Sequence, residues 1–285
     1  MALFAYFVDA IVFIIDKYLI ASRITDPYVY AFGGAILSAG AIVLIPFGVS
    51  MPSLFYLATA LISGGAFFIA IVFIYKAVKI SDVSVVSTNV GAISAIFTYI
   101  FSFLILKDTL SNIHFFAFLL LVAGIFFIGR IEKSILKYSI ISGLFLGLSF
   151  VLMKWDFNHS GFINGIFWTR VGFVLAGLLS LLDKTIRNNV SASLRSTSKS
   201  SKLIFIFNKV LAGIGFVMIY YAIRLGNVSL VNALLGFQFV FVFLLAVIIK
   251  GKLSEVGENL QRPVLINKIL GIVFVFVGFL TLIFR

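Results

Sequence analysis

The sequence predicts an all-α polytopic membrane protein with ten transmembrane helices in two inverted five-helix repeats. The first observation behind this prediction is composition, since 62% of the residues are hydrophobic and 11% are charged. Soluble domains are about 45–50% apolar and about 25% charged, so little of the chain is left for a soluble domain. The second observation is a series of apolar runs of membrane-spanning length. The third is an internal similarity between the two halves.

Ten apolar runs are each long enough to cross a hydrocarbon core of about 30 Å as a helix. Short connections separate most of them, and two longer connections carry many charged residues. In chain order the runs are Ala2–Ile20, Tyr28–Gly48, Ser53–Tyr75, Ser84–Leu106, Asn112–Gly129, Tyr138–Trp155, Gly161–Leu182, Leu203–Ile223, Ser229–Ile249 and Ile266–Phe284.

Two segments, Ile74–Gly91 and Ile219–Gly236, align without a gap at an offset of 145 residues. In both, Tyr-x-Ala is followed at the same spacing by Val-Ser-x-Val. A weak internal repeat in a very apolar chain is typical of a membrane transporter built from two copies of one unit. We therefore expect repeat units over residues 1–131 and 132–285. Five runs in each unit is an odd number, so the second unit is inverted relative to the first.

The basic residues predict an orientation. Connections on one side of the membrane hold 15 of the 22 Lys and Arg residues, and those on the other side hold 4. By the positive-inside rule the richer side is cytoplasmic, which suits a multi-pass protein of the cytoplasmic membrane with both termini outside. The Ser-rich, basic connection Asp183–Lys202 is either a solvated loop, which we prefer, or a helix on the membrane surface.

Charged residues within the apolar runs are the first candidates for a functional site. Arg170 is the tenth residue of a 22-residue run, where a charge costs at least about 2.5–3.5 kcal/mol. It must therefore face a cavity, as the counter-charge of an anionic substrate group, or form an ion pair, for which Asp9 is the obvious partner. Asp9 and Asp16 lie seven residues apart and share one face of a helix. Asp9 is also a candidate proton-coupling site, whereas Asp16 and Lys17 either line the cavity or reach water at the membrane surface.

Polar uncharged residues form a second set of candidates. Amides offer donors and acceptors without charge, as a neutral or zwitterionic ligand requires. Hydrogen bonding between helices explains any single amide better, and it is their grouping on repeat-related helices that favours a shared cavity. Tyr75 and Tyr220 end two runs, where tyrosines of the membrane-interface belt are expected. Gly143-x-x-x-Gly147 predicts a close helix approach. The amides concerned are Asn89, Asn208, Asn232 and Gln238.

The chain resembles the ten-helix, EamA-type branch of the drug/metabolite transporter superfamily. The resemblance implies a central cavity lined by runs one to four and six to nine, with runs five and ten peripheral, and export of amino acids, metabolites or drugs. In such transporters both termini are usually drawn in the cytoplasm, which opposes the charge count. Asp108 stands where the family has a turn glutamate, and the proline common in its fourth and ninth helices is absent. The segments that carry the resemblance are Ile15–Ile20, Tyr75–Lys79, Val83–Val86, Leu106–Leu110, Arg170, Tyr220–Arg224 and Val228–Val231.

The sequence thus predicts a secondary transporter, more specifically an exporter, of a small polar or amphipathic metabolite by alternating access. We expect no cofactor, no metal site and no nucleic-acid partner, and a monomer or a dimer in the lipid bilayer. The alternatives are a flippase of polyprenyl-linked sugars, an intramembrane enzyme that pairs Asp9 with Asp16, and a non-transporting membrane scaffold. The expected cavity lining is Asp9, Asp16, Lys17, Asn89, Arg170, Asn208, Tyr220, Asn232 and Gln238.

Overall fold

A computed structural model describes residues 1–129, 132–249 and 262–283, and no strand occurs in those ranges. The α-helices take up most of these ranges. A 3-10 segment, Ser38–Phe47, continues α2, and a π-helical turn, Ser102–Leu106, ends α4. The α-helices are α1 Ala2–Ser22, α2 Pro27–Leu37, α3 Leu54–Ile80, α4 Val83–Phe101, α5 Asn112–Ile128, α6 Lys133–His159, α7 Phe162–Ser180, α8 Lys184–Ser196, α9 Lys199–Leu225, α10 Val228–Ala233, α11 Leu235–Ile249 and α12 Arg262–Ile283.

The chain is an all-α, multi-pass membrane protein. Within the described ranges, 8 helices are long and apolar enough to cross a bilayer. α5 is apolar but has only 17 residues, and the 21 residues of α1 include three charged ones. The eight are Pro27–Phe47, Leu54–Ile80, Val83–Leu106, Lys133–His159, Phe162–Ser180, Lys199–Leu225, Val228–Ile248 and Leu265–Ile283.

Several of the predicted runs differ in detail from the helices that form, and the second, eighth and ninth runs are examples. The second run is an α-helix only to Leu37 and then narrows to the 3-10 segment. The ninth run breaks at Leu234 into α10 and α11. The eighth run begins four residues too late, because α9 extends past the apolar region to Lys199.

The preferred prediction of a solvated loop over Asp183–Lys202 was wrong, since most of this segment forms α8 and the first turn of α9. Asp183 caps α8 by accepting hydrogen bonds from the backbone N–H groups of Thr185 (2.7 Å) and Ile186 (3.1 Å). These bonds hold the pKa of the Asp183 carboxyl below its usual range, as expected at a helix N-terminus. Val190 is buried in the main core, whereas the basic residues of α8 are exposed.

The helices pack in an interleaved order rather than as two separate halves. α6 lies between α3 and α4, while α1 lies between α9 and α11. The close approach predicted for Gly143 and Gly147 is present: a Cβ on Gly143 would lie 2.6 Å from Cγ2 of Ile93, and one on Gly147 would lie 2.9 Å from the backbone N of Thr98. α5 and α12 pack tightly on each other and form a peripheral pair.

Candidate functional site

A cavity of about 360 Å³ lies among α1, α2, α3, α4, α6, α7, α9 and α11. No described residue of α5 or α12 lines it. Its wall is mostly apolar, and four charged side chains contribute to it: Asp9, Asp16, Arg170 and Lys209. A cavity of this size, apolar with a few convergent polar groups, has the character of a small-molecule site.

At one end of the cavity Asp16 forms the centre of a hydrogen-bonded group that we call the Asp16 cluster: Asp16, Tyr30, Tyr75, Asn208 and Lys209. Asp16 Oδ1 accepts from the Tyr30 hydroxyl (2.6 Å), Asn208 Nδ2 (2.6 Å) and Lys209 Nζ (2.7 Å). The Tyr75 hydroxyl donates to Asp16 Oδ2 (3.1 Å) and accepts from Lys209 (2.8 Å). Buried charges are stable when they are paired and hydrogen-bonded, and here Asp16 and Lys209 neutralise each other.

Asp9 lines the same cavity, seven residues before Asp16 on α1, and has a different environment. Its side chain packs against Gly215 of α9, where a Cβ would come too close to Oδ1. Asp9 is 8% exposed, and its Oδ1 has no hydrogen-bond partner among the described residues. A buried polar atom without a partner carries a desolvation cost. Asp9 therefore offers an acceptor that the described residues leave unused.

Arg170 lies at the middle of α7, within an aromatic group. It donates to the Tyr220 hydroxyl, and its guanidinium carbon stands 5.1–5.4 Å from the ring centres of Phe67, Phe216 and Tyr220. Aromatic faces attract a guanidinium without neutralising it. The expected ion pair with Asp9 does not form: in the described part of the chain, the ion pair among these charges joins Lys209 to Asp16.

The predicted lining residues separate into two groups. Asp9, Asp16, Arg170, Tyr220 and Gln238 line the cavity. The other four predicted residues make hydrogen bonds behind its wall. Asn232 donates to the Ser94 and Thr98 hydroxyls (3.0 and 2.5 Å), Asn89 donates to the Val85 carbonyl (2.7 Å), Asn208 belongs to the Asp16 cluster, and Lys17 donates to the end of α3.

Sequence reasoning omitted Lys209 from the lining, although the signal was available. Lys209 lies within an apolar run, as Arg170 does, so its charge needs the same explanation. The expectation that Tyr75 and Tyr220 belong to an interfacial belt was also wrong. They are 5% and 2% exposed and hydrogen-bond to charged residues inside the protein.

Lys17 and Lys154 have equivalent contacts. Lys17 Nζ donates to the carbonyl oxygens of Val78 and Ser81, both at 2.7 Å, at the end of α3. Lys154 Nζ donates to those of Ile223 (2.8 Å) and Gly226 (3.0 Å) at the end of α9, and also to that of Arg224. Cations at a helix C-terminus satisfy its unpaired carbonyls and oppose the helix dipole.

The cavity wall is thin between α2 and α9. The two helices meet near their first turns, where Tyr30 and Phe205 form an edge-to-face ring pair with centroids 4.8 Å apart. Beyond that point the 3-10 segment packs on α7, while α9 stays on α1. Val210 and Val217 line the cavity and are 58% and 49% exposed. Gly213 lies between them, with no atom within 4 Å of an added Cβ.

No protein-family model and no curated protein matches this chain. Among solved structures, 26 chains are similar to it. One of them, described as "Crystal structure of protein", has a TM-score of 0.66 at 15% sequence identity, over 98% of this chain and 97% of that chain. At this identity the similarity extends to the fold alone, which is shared along nearly the full length of both chains.

Proposed function

We propose that this chain is a secondary transporter of the EamA type that moves a small amphipathic metabolite through the central cavity by alternating access. The observation that carries the proposal is the pairing of charges in the cavity. Asp16 and Lys209 neutralise each other, whereas Asp9 and Arg170 lie apart, each without a partner of opposite charge among the described residues. Such an arrangement suits a ligand that brings both charges.

The spacing along α9 supports a zwitterionic substrate. Asp9 packs against Gly215 and Arg170 bonds Tyr220, five residues further on. At a rise of 1.5 Å per residue, Gly215 and Tyr220 are separated by roughly 7–8 Å along the axis of α9. A small zwitterion with hydrogen bonds at both ends spans such a distance, and the apolar lining would receive its hydrocarbon part.

We also propose ten crossings in two inverted repeats. The ten are the eight long apolar helices together with α1 and α5. The charged residues of α1 are buried inside the protein, so they do not oppose a membrane location. Both bounds of α9 lie 145 residues after those of α3, and α3 packs on α6 as α9 packs on α1. These correspondences support repeat-related halves that pivot against each other around a central site.

The proposal does not include catalysis. An intramembrane aspartyl enzyme would need Asp9 and Asp16 as a pair that shares a proton. Asp16 instead accepts hydrogen bonds from four side chains and forms an ion pair with Lys209. A scaffold without transport would be expected to fill its interior, whereas this chain retains a cavity of about 360 Å³.

The test is a thermal-shift screen of the purified protein against amphipathic zwitterions, followed by uptake into proteoliposomes. A ligand that binds only the folded state raises its apparent stability. We expect the screen to give zwitterions that stabilise the wild type and lose this effect in Asp9→Asn and Arg170→Ala. Lys79→Gln, an exposed change at the end of α3, is the control and should respond as the wild type does. Stabilisation that is unchanged in both cavity variants would refute the assignment of the site.

A further inference from the structure

In the proposed repeats, the contact between α9 and α2 corresponds to the contact between α3 and α7. The two contacts differ. α3 and α7 approach until their backbones touch: no Cβ fits on Gly64 beside the Thr169 carbonyl, and a Cβ on Gly172 would lie 2.7 Å from Cα of Leu61. Lys209 stands 145 residues after Gly64. A lysine cannot occupy the space of a glycine at such a contact, so the backbones of α2 and α9 do not touch where those of α3 and α7 do.

The gap that results lies between residues that line the cavity. On the α9 side it is bordered by Val210, Gly213 and Val217, and on the α2 side by Leu37, which is 37% exposed and also lines the cavity. These border residues are apolar, and at Gly213 no side chain projects into the gap. At the base of the gap Lys209 contacts α2, with its Cδ and Cε 3.9 Å from an added Cβ on Gly34.

We propose that this gap is a side portal through which the hydrocarbon chain of a bilayer amphiphile enters the cavity, while its polar head meets Asp9 and Arg170. Residues 210–217 lie in the middle of α9. A gap at that level of a membrane-spanning helix would face lipid tails, for which an apolar border is the favourable surface. Both opposite charges lie on the cavity side of the portal, so a head group that carries both would remain inside. The part of the chain next to the head group would lie in the cavity, and the rest would extend outward between α2 and α9.

The inference deepens the proposed transport function, on which it rests for its meaning, but its test needs no transport measurement. The protein is reconstituted into phosphatidylcholine nanodiscs that contain a minor fraction of phosphatidylcholine with a photoactivatable diazirine on one acyl chain. After irradiation, adducts are mapped by mass spectrometry. Every lipid-facing side chain, such as Phe207 and Ile214, should react. The decisive positions are Phe67 and Val90, which line the cavity and are 3% and 4% exposed.

The expected result is adducts at Phe67 and Val90 in the wild type, and their loss in Gly213→Trp, with the adducts at Phe207 and Ile214 unchanged. Gly65→Trp is the matched control. Gly65 also has no atom within 4 Å of an added Cβ but does not line the cavity, so the inner adducts should persist. Leu37→Trp narrows the other border of the portal and replaces Gly213→Trp if that variant does not fold.

Adducts confined to outward-facing residues in the wild type would overturn the portal, as would inner adducts that persist in both portal variants. The two proposals fail separately. If the protein takes up a water-soluble solute but adducts form only at outward-facing residues, the portal is refuted and the transport proposal stands. If adducts form at Phe67 and Val90 but the protein transports no substrate, the transport proposal is refuted and the portal stands.

Discussion

Lys17 and Lys154 cap the ends of two helices, α3 and α9, whose bounds are separated by 145 residues. The carbonyl acceptors that the two lysines share, at Val78 and Ser81 and at Ile223 and Gly226, are separated by the same offset. Each cap fixes the first helix of a proposed repeat against the third. The sequence similarity at offset 145 therefore includes an equivalent contact in space, which depends on backbone oxygens that no alignment displays.

We expect Lys17→Met to destabilise the protein by roughly 1–3 kcal/mol, because it leaves two buried carbonyl oxygens without donors. Lys154→Met should cost less, since Lys154 is only half-buried and water can replace it. Thermal unfolding of the purified variants measures the difference. Lys79→Met, at an exposed site on the end of α3, controls for loss of a positive charge. Equal effects at Lys17 and Lys79 would contradict the capping role.

The second prediction concerns the ion pair between Asp16 and Lys209. Lys209→Met strands the Asp16 carboxylate inside the protein, and breaking a buried pair costs about 3–5 kcal/mol. We expect poor folded yield from this single variant. The double variant Lys209→Met with Asp16→Asn removes both charges and should recover yield, as measured by size-exclusion chromatography from detergent. A double variant that is as poor as the single one would show that the lysine acts through packing.

For Arg170 we expect function and folding to separate. Arg170→Ala loses contacts to aromatic rings worth about 1 kcal/mol and breaks no ion pair with Asp9, so folded yield should stay near that of the wild type. Transport should be abolished if the guanidinium receives an anionic group of the substrate. Tyr220→Phe retains the ring and removes only the hydroxyl that accepts from Arg170, and it should reduce transport without abolishing it. Normal uptake by Arg170→Ala would exclude Arg170 from binding.

Gly64 and Gly213 give opposite predictions for the same substitution. Gly64→Ala forces α3 away from the backbone of α7 and should destabilise the protein by roughly 1–3 kcal/mol. Gly213→Ala meets no atom within 4 Å, so it should be neutral or stabilise α9 by about 0.5–1 kcal/mol, the helix cost of glycine relative to alanine. Thermal unfolding of the two variants side by side is the measurement. Similar losses at both positions would mean that α2 and α9 are as close as α3 and α7.

Orientation can be read by labelling, since the chain has no cysteine of its own. Ala192 is exposed on α8, and Met51 is 68% exposed at the opposite membrane face according to the order of the proposed crossings. From the distribution of basic residues we expect Ala192→Cys to react with an impermeant maleimide only after cell lysis. Met51→Cys should react in intact cells. The reverse pattern would support the orientation usual for EamA-type transporters, with both termini in the cytoplasm.

The sequence by itself determined the long apolar helices and the need for a protected environment for the charges within them. Hydrophobicity over about twenty residues is a local property, so the spans could be read without knowing their neighbours. The cost of an unpaired charge in the membrane is equally independent of the fold. It was enough to predict that Arg170 and Asp9 face inward, although the same argument was not extended to Lys209. The bounds of α3 and α9 also lie 145 residues apart, a spacing that the predicted runs Ser53–Tyr75 and Leu203–Ile223 did not have.

Only the tertiary structure decided which polar groups meet. Arg170 hydrogen-bonds to Tyr220 and does not pair with Asp9, and Lys209 forms an ion pair with Asp16. The rotation and tilt of each helix set these partners. Rotation and tilt depend on close contacts such as Gly64 on α7, and a glycine at such a contact cannot be told from Gly213, beside open space, by its sequence surroundings. In a chain that is apolar on every face, periodicity does not show which side of a helix faces protein and which faces lipid. The cavity and the gap between α2 and α9 follow from those contacts.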